Sequence, residues 1–225
     1  MWQLYQFPLC PFSRKVRLLL GEKGVGYELV REHPWERRDE FLDMNPAGQT
    51  PVVVDTQRGG QPLIDSLAIC EYFEETVDKA AMINGTAANR AEVRRLVAWF
   101  DNHFYRDVTG LLLHERVVKR VAHRAAPDAK GLRDAMKNAV GHLDYTDYLL
   151  DHRNWLAGAT MSLADFAAAA QISVADYLGG IDWKGHEQTA RWYRGLKSRP
   201  SFRPLLAERM EMVGPPPAHY DNVDF

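Results

Sequence analysis

The 225-residue sequence predicts an α/β unit followed by an all-helical unit, and three observations support this fold class. Residues 1–78 alternate short aromatic or β-branched runs with amphipathic segments, which is typical of strands interleaved with helices. Residues 79–86 hold an Asn-Gly-Thr pattern, which indicates a linker and a helix cap. From Ala87 onward the apolar residues recur at three- and four-residue steps, as on buried helix faces.

The first unit is predicted to contain a βαβ arrangement, a linking helix and a ββα arrangement. Gly21 and Gly24 are expected to close the first long helix, and Asp65 with Ser66 to cap the last one. The predicted strands are Trp2–Phe7, Tyr27–Val30, Val52–Val54 and Pro62–Ile64, and the predicted helices are Phe12–Leu20, Glu36–Met44 and Ser66–Val77.

The second unit, residues 87–212, is predicted to be helical throughout. One long helix has an apolar face that includes Val93, Phe100 and Phe104, and another spans residues 127–151. Ser162 and Asp165 have the spacing of a capping box, and an alanine-rich helix follows them. Residues 213–225 are expected to form a proline-rich extended tail.

Composition excludes several classes of protein. The formal net charge of −2 gives no overall attraction to nucleic acid or to an anionic membrane. Two cysteines are too few for a secreted disulfide scaffold or a structural zinc site, so we expect a cytoplasmic protein with no metal. The apolar runs are too short to span a bilayer, so no membrane insertion is expected.

Cys10 is the candidate catalytic residue. It lies where the first strand meets the first helix, and a helix N-terminus favours the reactive thiolate. Ser13 stands where a dithiol redox protein has its second cysteine, so Cys10 could form a mixed disulfide but not resolve it internally. The alternative is that Cys10 is an inert small residue of the turn.

Two further elements are consistent with a ligand site. Proline at the start of a strand is often cis, so Pro51 is expected to expose the backbone of Thr50 to a peptide-like ligand. Asp65 and Ser66 open a helix whose N-terminus suits a carboxylate. Each also has an ordinary interpretation, as a turn proline and an N-cap.

Together, Cys10-Pro11-Phe12-Ser13, Thr50-Pro51, Asp65-Ser66 and the capping box resemble the glutathione transferase superfamily. The resemblance implies a thioredoxin-like N-terminal domain, a helical C-terminal domain and a homodimer. It places glutathione against the backbone of Thr50 and against Asp65 and Ser66, with Cys10 at the thiol position and Ser13 as the weaker candidate. It implies a cysteine-type transferase, or a glutathione-dependent thiol reductase acting on small electrophiles or mixed disulfides.

The sequence of the loop around Trp35 is not explained by the resemblance to glutathione transferases. Trp35 follows a proline and precedes Glu36, Arg37 and Arg38, and Trp and Arg are enriched at binding hot spots. One alternative is that Arg37 or Arg38 binds the glycine carboxylate of glutathione. Another is that Trp35 folds onto its own domain.

The tail is the second unexplained feature. Three prolines precede Tyr220, Val223 and Phe225, which are interleaved with Asp221 and Asp224 in the pattern of a short amphipathic peptide. A frayed terminus is the alternative. Burying three such side chains contributes ~1.5–3 kcal/mol each, while ordering eight residues costs ~1–2 kcal/mol each, so a docking tail needs a second contact.

The loop and tail together resemble an alphaproteobacterial branch of the superfamily that binds polymers of the division protein FtsZ. The resemblance implies a non-catalytic dimer that bridges FtsZ filaments at the division site, with no required cofactor. Trp35, Arg37, Arg38, Tyr220, Asp221, Val223, Asp224 and Phe225 are then the candidate partner-binding residues.

Overall fold

The first unit of the chain is built on one mixed four-stranded sheet. In a computed structural model, which describes residues 1–57, 59–210 and 212–223, the strand order is β2-β1-β3-β4. β1 pairs in parallel with β2 and antiparallel with β3, and β4 adds antiparallel to β3. The strands are β1 (Trp2–Gln6), β2 (Tyr27–Arg31), β3 (Val52–Asp55) and β4 (Leu63–Ile64).

Three helices and a short 3₁₀ turn, Pro34–Glu36, complete this unit: α1 (Pro11–Lys23), α2 (Asp39–Met44) and α3 (Ser66–Thr76). The expectation that Gly21 closes α1 is wrong. The helix continues to Lys23, and Gly24 caps it in the left-handed conformation, with φ 68°. Gly21 instead permits a close approach, because a Cβ there would lie 2.9 Å from Cβ of Ser201.

The second unit is helical, as the sequence predicts. Its first helix, α4 (Ala87–Ala98), continues without a break into π-helical turns, in which each N–H bonds five residues back. The elements in order are α4, π1 (Trp99–Thr109), α5 (Gly110–Leu113), π2 (His114–Val118), α6 (Lys119–Val121), α7 (Ala129–His152), α8 (Leu163–Tyr177), α9 (Glu187–Lys197) and α10 (Arg203–Ala207).

The alanine-rich α8 lies at the centre of the molecule. All of its residues are buried, and it packs against α1, α4 and π1. The predicted capping box is present at its start: Asp165 accepts hydrogen bonds from the amide of Ser162 (2.9 Å) and from its hydroxyl (3.0 Å). Asp165 also accepts from the indole of Trp192 at 3.0 Å, which fixes α9 against α8. The predicted fold class, thioredoxin-like followed by helical, is confirmed.

Helix α1 connects the two units through charged side chains that are buried. Arg14, Lys15 and Arg17 are each no more than 2% exposed. Lys15 forms an ion pair with Asp101 of π1, and Arg17 with Glu208 at 2.6 Å. These ion pairs therefore join α1 to the second unit.

Within the described residues, no helix has the length and apolar character needed to cross a membrane.

Candidate functional site

Cys10 lies at the N-terminus of α1, where the sequence predicts it. Its amide bonds to the carbonyl of Phe7 at 2.9 Å, which forms the turn after β1. The sulfur caps α1 by accepting from the amide of Ser13 (3.5 Å), and the thiol donates to the carbonyl of Thr50 (3.3 Å). The residue is 8% exposed and lines a cleft. Ser13 is fully buried and is not among the residues that line this cleft.

The Thr50–Pro51 peptide bond is cis, as the sequence predicts. The loop before it is held by Asn45, whose side-chain amide donates to the carbonyl of Gln49 at 2.7 Å. Thr50 is 5% exposed, and both Thr50 and Pro51 line the cleft. Cys10 and the cis bond are thus brought together across 40 residues of sequence.

Asp65 and Ser66 lie at the start of α3 and also line the cleft. Asp65 alone is the N-cap, because its carboxylate accepts from the amides of Leu67 (2.8 Å) and Ala68 (3.1 Å). Ser66 is the first helical residue and is 6% exposed. All the predicted glutathione-site residues therefore share one cavity with Cys10.

The cleft has a volume of about 740 Å³, which is the size of a small-molecule site. Its second wall comes from α4, π1, α5 and π2, and its polar members are Asp101, Asn102 and Tyr105 of π1, which no sequence pattern indicates. The ring of Tyr105 packs on Phe12 with centroids 4.8 Å apart, and burial raises the pKa of its hydroxyl. Among the described residues, no group of His, Cys, Asp and Glu side chains could hold a metal ion.

Lys15 and Asp101 form a buried ion pair at the wall of the cleft. The Lys15 side chain is fully buried, while that of Asp101 is 14% exposed. Burial raises the pKa of Asp101, although Lys15 opposes the shift. The pair joins residues 86 apart, and no local sequence pattern indicates it.

The Trp35 side chain packs on the turn that carries Cys10. Its ring stacks on His33 at 5.1 Å and meets Phe7 edge-on at 5.1 Å, so it is half-buried rather than fully exposed. Arg38 is exposed and bonds Glu32 at 2.6 Å, away from the cleft lining. Arg37 is exposed and has a left-handed backbone, with φ 46°.

The tail folds back onto the protein. Tyr220 is fully buried, and its ring meets Tyr177 edge-on at 5.2 Å. His219 bonds Asp176 at 2.8 Å, which raises the pKa of the imidazole. Lys197 donates to the carbonyls of His219 (3.2 Å) and Asn222 (2.6 Å).

The last tail residues differ in exposure. Asp221 is exposed and pairs with Arg209, and Val223 is half-buried against the core. Asp224 and Phe225, which the sequence suggests as partner-binding residues, lie outside the described residues.

Comparisons with known proteins agree with this architecture. Residues 4–81 match the family described as glutathione S-transferase, N-terminal domain. FtsZ-localized protein A of Caulobacter vibrioides is 46% identical over 223 residues, covering 99% of this chain and 97% of that protein.

Solved structures are also similar over the full length of this chain. The structure of FzlA from C. crescentus has a TM-score of 0.95 and 45% identity, and covers 100% of this chain and 99% of its own. A glutathione S-transferase from Rhodospirillum rubrum F11 has a TM-score of 0.95 and 47% identity, with 100% of both chains covered. The chain therefore belongs to the glutathione S-transferase superfamily, in the family of FtsZ-localized protein A.

Proposed function

We propose that this chain is a non-catalytic glutathione-transferase-like protein that binds FtsZ filaments and regulates cell division. The observation that carries the proposal is its 46% identity with FtsZ-localized protein A over 99% of the chain. A match of that extent includes the Trp35 loop, whose tryptophan also lines the cleft, and reaches the tail. A filament partner would recruit the protein to the division site in the cytoplasm.

The charges of the cleft support a non-catalytic role. Glutathione has a free carboxylate at each end and one amine. The charged side chains among the described residues of the cleft lining are Asp65 and Asp101, and no Lys, Arg or His is among them. Arg38, one candidate for the glycine carboxylate, is instead held by Glu32.

Two of the groups that would hold glutathione each have a partner within the chain. The carbonyl of Thr50 accepts a hydrogen bond from the thiol of Cys10, and Oδ1 of Asp65 caps α3. Ser66 and the N-terminus of α3 remain suited to a γ-glutamyl carboxylate. The residues present therefore fit glutathione incompletely, and no cofactor is required for the proposed role.

The proposed filament-binding residues are in the loop and the tail. Trp35, Arg37 and Arg38 reach the surface of the first unit, and Asp221 and Val223 follow the buried Tyr220. Asp224 and Phe225 are included on sequence grounds alone. Tyr220 is assigned an anchoring role rather than a direct contact, because its side chain is inaccessible.

A homodimer would give the protein two filament-binding sites. Met136 and Val140 lie one turn apart on α7 and are 42% and 44% exposed, so they form a short apolar stripe on its surface. We propose that this stripe contributes to the contact between two copies, so that the dimer bridges filaments by avidity.

Co-sedimentation with FtsZ polymers assembled in GTP tests the proposal. The full chain is expected to pellet with the polymers, and a chain ending at Pro217 is expected to remain in the supernatant. Trp35→Ala should also reduce pelleting, whereas Tyr148→Ala, an exposed aromatic of α7, should not. Unchanged pelleting of the truncated chain would contradict the role of the tail.

A cysteine-type glutathione transferase or thiol reductase is the second candidate. The observation in its favour is that Cys10, cis-Pro51 and Ser66 share one cleft. It predicts retention on immobilised glutathione and turnover of an electrophile or mixed disulfide that Cys10→Ala abolishes. Tight retention with turnover would reverse the order of the two candidates.

A further inference from the structure

The side chain of Tyr220 is the buried attachment of the tail, beside the bonds that His219 and Lys197 make at its surface. Its hydroxyl accepts a hydrogen bond from Arg14 at 3.0 Å and donates to the carbonyl of Leu205 at 3.5 Å. The amides of Tyr220 and Asn222 bond the carbonyls of Pro217 (2.9 Å) and His219 (3.1 Å), so the segment forms consecutive turns. A fully buried anchor in a terminal segment is unusual, because chain ends are where order is generally lost.

Arg14 holds three separate parts of the molecule. Its side chain is fully buried, and its Nε donates to the carbonyl of Pro8 at 2.8 Å, in the turn before α1. The Nη1 that bonds Tyr220 also donates to the hydroxyl of Ser173 on α8 at 2.8 Å. One planar guanidinium thus links the turn, the central helix and the tail, using the fixed donor geometry that arginine provides.

The same turn supports the Trp35 loop. Phe7, next to Pro8, packs edge-on against Trp35 with centroids 5.1 Å apart, and its carbonyl accepts the amide of Cys10. The contacts therefore run without interruption from Trp35 through Phe7 and Pro8 to Arg14 and then to Tyr220. Trp35 and Tyr220 are 185 residues apart in sequence, and the turn at Phe7 and Pro8 together with Arg14 connects the two proposed binding elements.

We propose that Arg14 is a positioning residue that holds the tail in a fixed relation to the Trp35 loop, so that both elements are preset for the filament before binding. The inference rests on the proposed function. It removes the difficulty that a free tail must be ordered during binding, because folding has already ordered it around Tyr220. Asp221 and Val223, directly after the anchor, are then presented in a defined place.

Two substitutions test the anchor with a matched control. Tyr220→Phe removes one partner of Arg14 Nη1 on the tail, while keeping the buried ring. Tyr145→Phe, on α7, removes a hydroxyl that likewise accepts a hydrogen bond from an arginine, Arg95 at 2.9 Å, but has no part in holding the tail. Hydrogen exchange of residues 218–223 in the free protein measures whether the tail opens, and co-sedimentation with FtsZ polymers measures affinity.

Tyr220→Phe is expected to speed exchange in the tail about tenfold and to weaken pelleting by a similar factor, as loss of a hydrogen bond to a charged group suggests. Tyr145→Phe should change both by less than about twofold. Unchanged tail exchange in Tyr220→Phe would overturn the inference. A second outcome would also overturn it: truncation at Pro217 abolishes pelleting, but a Tyr220→Phe chain with faster tail exchange pellets as well as the unaltered chain.

The two readouts separate this inference from the proposed function. If the unaltered chain does not pellet with FtsZ polymers, the proposed partner is wrong, while the exchange data still show whether Arg14 anchors the tail. If the unaltered chain pellets and both variants behave alike, the partner stands and the positioning role of Arg14 is wrong.

Discussion

Replacing either member of the Lys15–Asp101 pair should destabilise the protein, but by unequal amounts. The ammonium of Lys15 is in a fully buried side chain, whereas the Asp101 side chain is 14% exposed at the wall of the cleft. Asp101→Asn therefore leaves a cation with no route to water. Lys15→Met leaves a carboxylate that can take water from the cleft or bind a proton, since burial already raises its pKa.

The structure sets the size of each effect. Removing one partner of a buried pair costs about 3–5 kcal/mol when the other is left uncompensated, which is the situation of Asp101→Asn. Lys15→Met should cost less, roughly 1–3 kcal/mol, because the remaining group is partly solvated. The double change Lys15→Met with Asp101→Leu should lie within about 1 kcal/mol of the unaltered chain, since apolar replacements of buried pairs are often neutral.

Urea denaturation of the four proteins, followed by circular dichroism, measures these free energies of unfolding. For a chain of this size each kcal/mol corresponds to about 2–4 °C in melting temperature, so thermal scans give an independent check. Equal costs for the two single changes would refute the reasoning from exposure. A double variant as unstable as Asp101→Asn would show that the pair is needed for more than mutual neutralisation.

Three further predictions follow from local geometry. Gly21→Ala should lower the melting temperature, because the new Cβ would lie 2.9 Å from Cβ of Ser201. Gly141→Ala has open space around it and should raise the melting temperature, since a glycine inside a helix costs about 1 kcal/mol relative to alanine. Iodoacetamide should modify Cys10, which lines the cleft, and should leave Cys70 intact until the protein unfolds, because burial raises the pKa of Cys70 to about 12. Two adducts on the native protein, detected by mass spectrometry, would contradict this. The hydrogen bonds of Arg95 and then Arg153 lower the pKa of Glu92 from 4.5 to about 2. The stability that these bonds contribute is therefore present above pH 4.5 and is lost as the pH falls toward 2. In Glu92→Gln the melting temperature should depend less on pH over that range.

The architecture could be predicted from sequence because each element has a local signal. Proline and glycine positions, β-branched runs and a helical apolar period gave the strands and helices to within a few residues. The π-helical turns could not be predicted, because Val97, Phe100 and Phe104 fit an ordinary helical face equally well. Gly21 was misread for a related reason: a glycine for close packing and a glycine for capping look the same in sequence.

The candidate site divides in the same way. Cys10, Thr50-Pro51 and Asp65 were identified because each belongs to a short motif whose mechanism is local. Asp101 and Tyr105 were missed because they enter the cleft only through the packing of π1 on α1. The described cleft lining has no basic side chain, and this too depends on how the chain folds, so no sequence motif could predict it.

The tail is where sequence reasoning came closest to its limit. The prolines and the alternating aromatic and acidic residues marked it as a binding segment, but the same pattern suits a projecting peptide and one that is docked. Arg14, which distinguishes the two, reads in sequence as a charge on the exposed face of an amphipathic helix. Placing a guanidinium in the core is costly unless it has partners. Here the carbonyl of Pro8 bonds Nε, the hydroxyls of Ser173 and Tyr220 bond Nη1, and Nη2 lies 4.0 Å from the carboxylate of Glu208. One of those partners, Tyr220, belongs to the tail. The contacts that stabilise Arg14 therefore also determine the position from which the residues after Tyr220 extend.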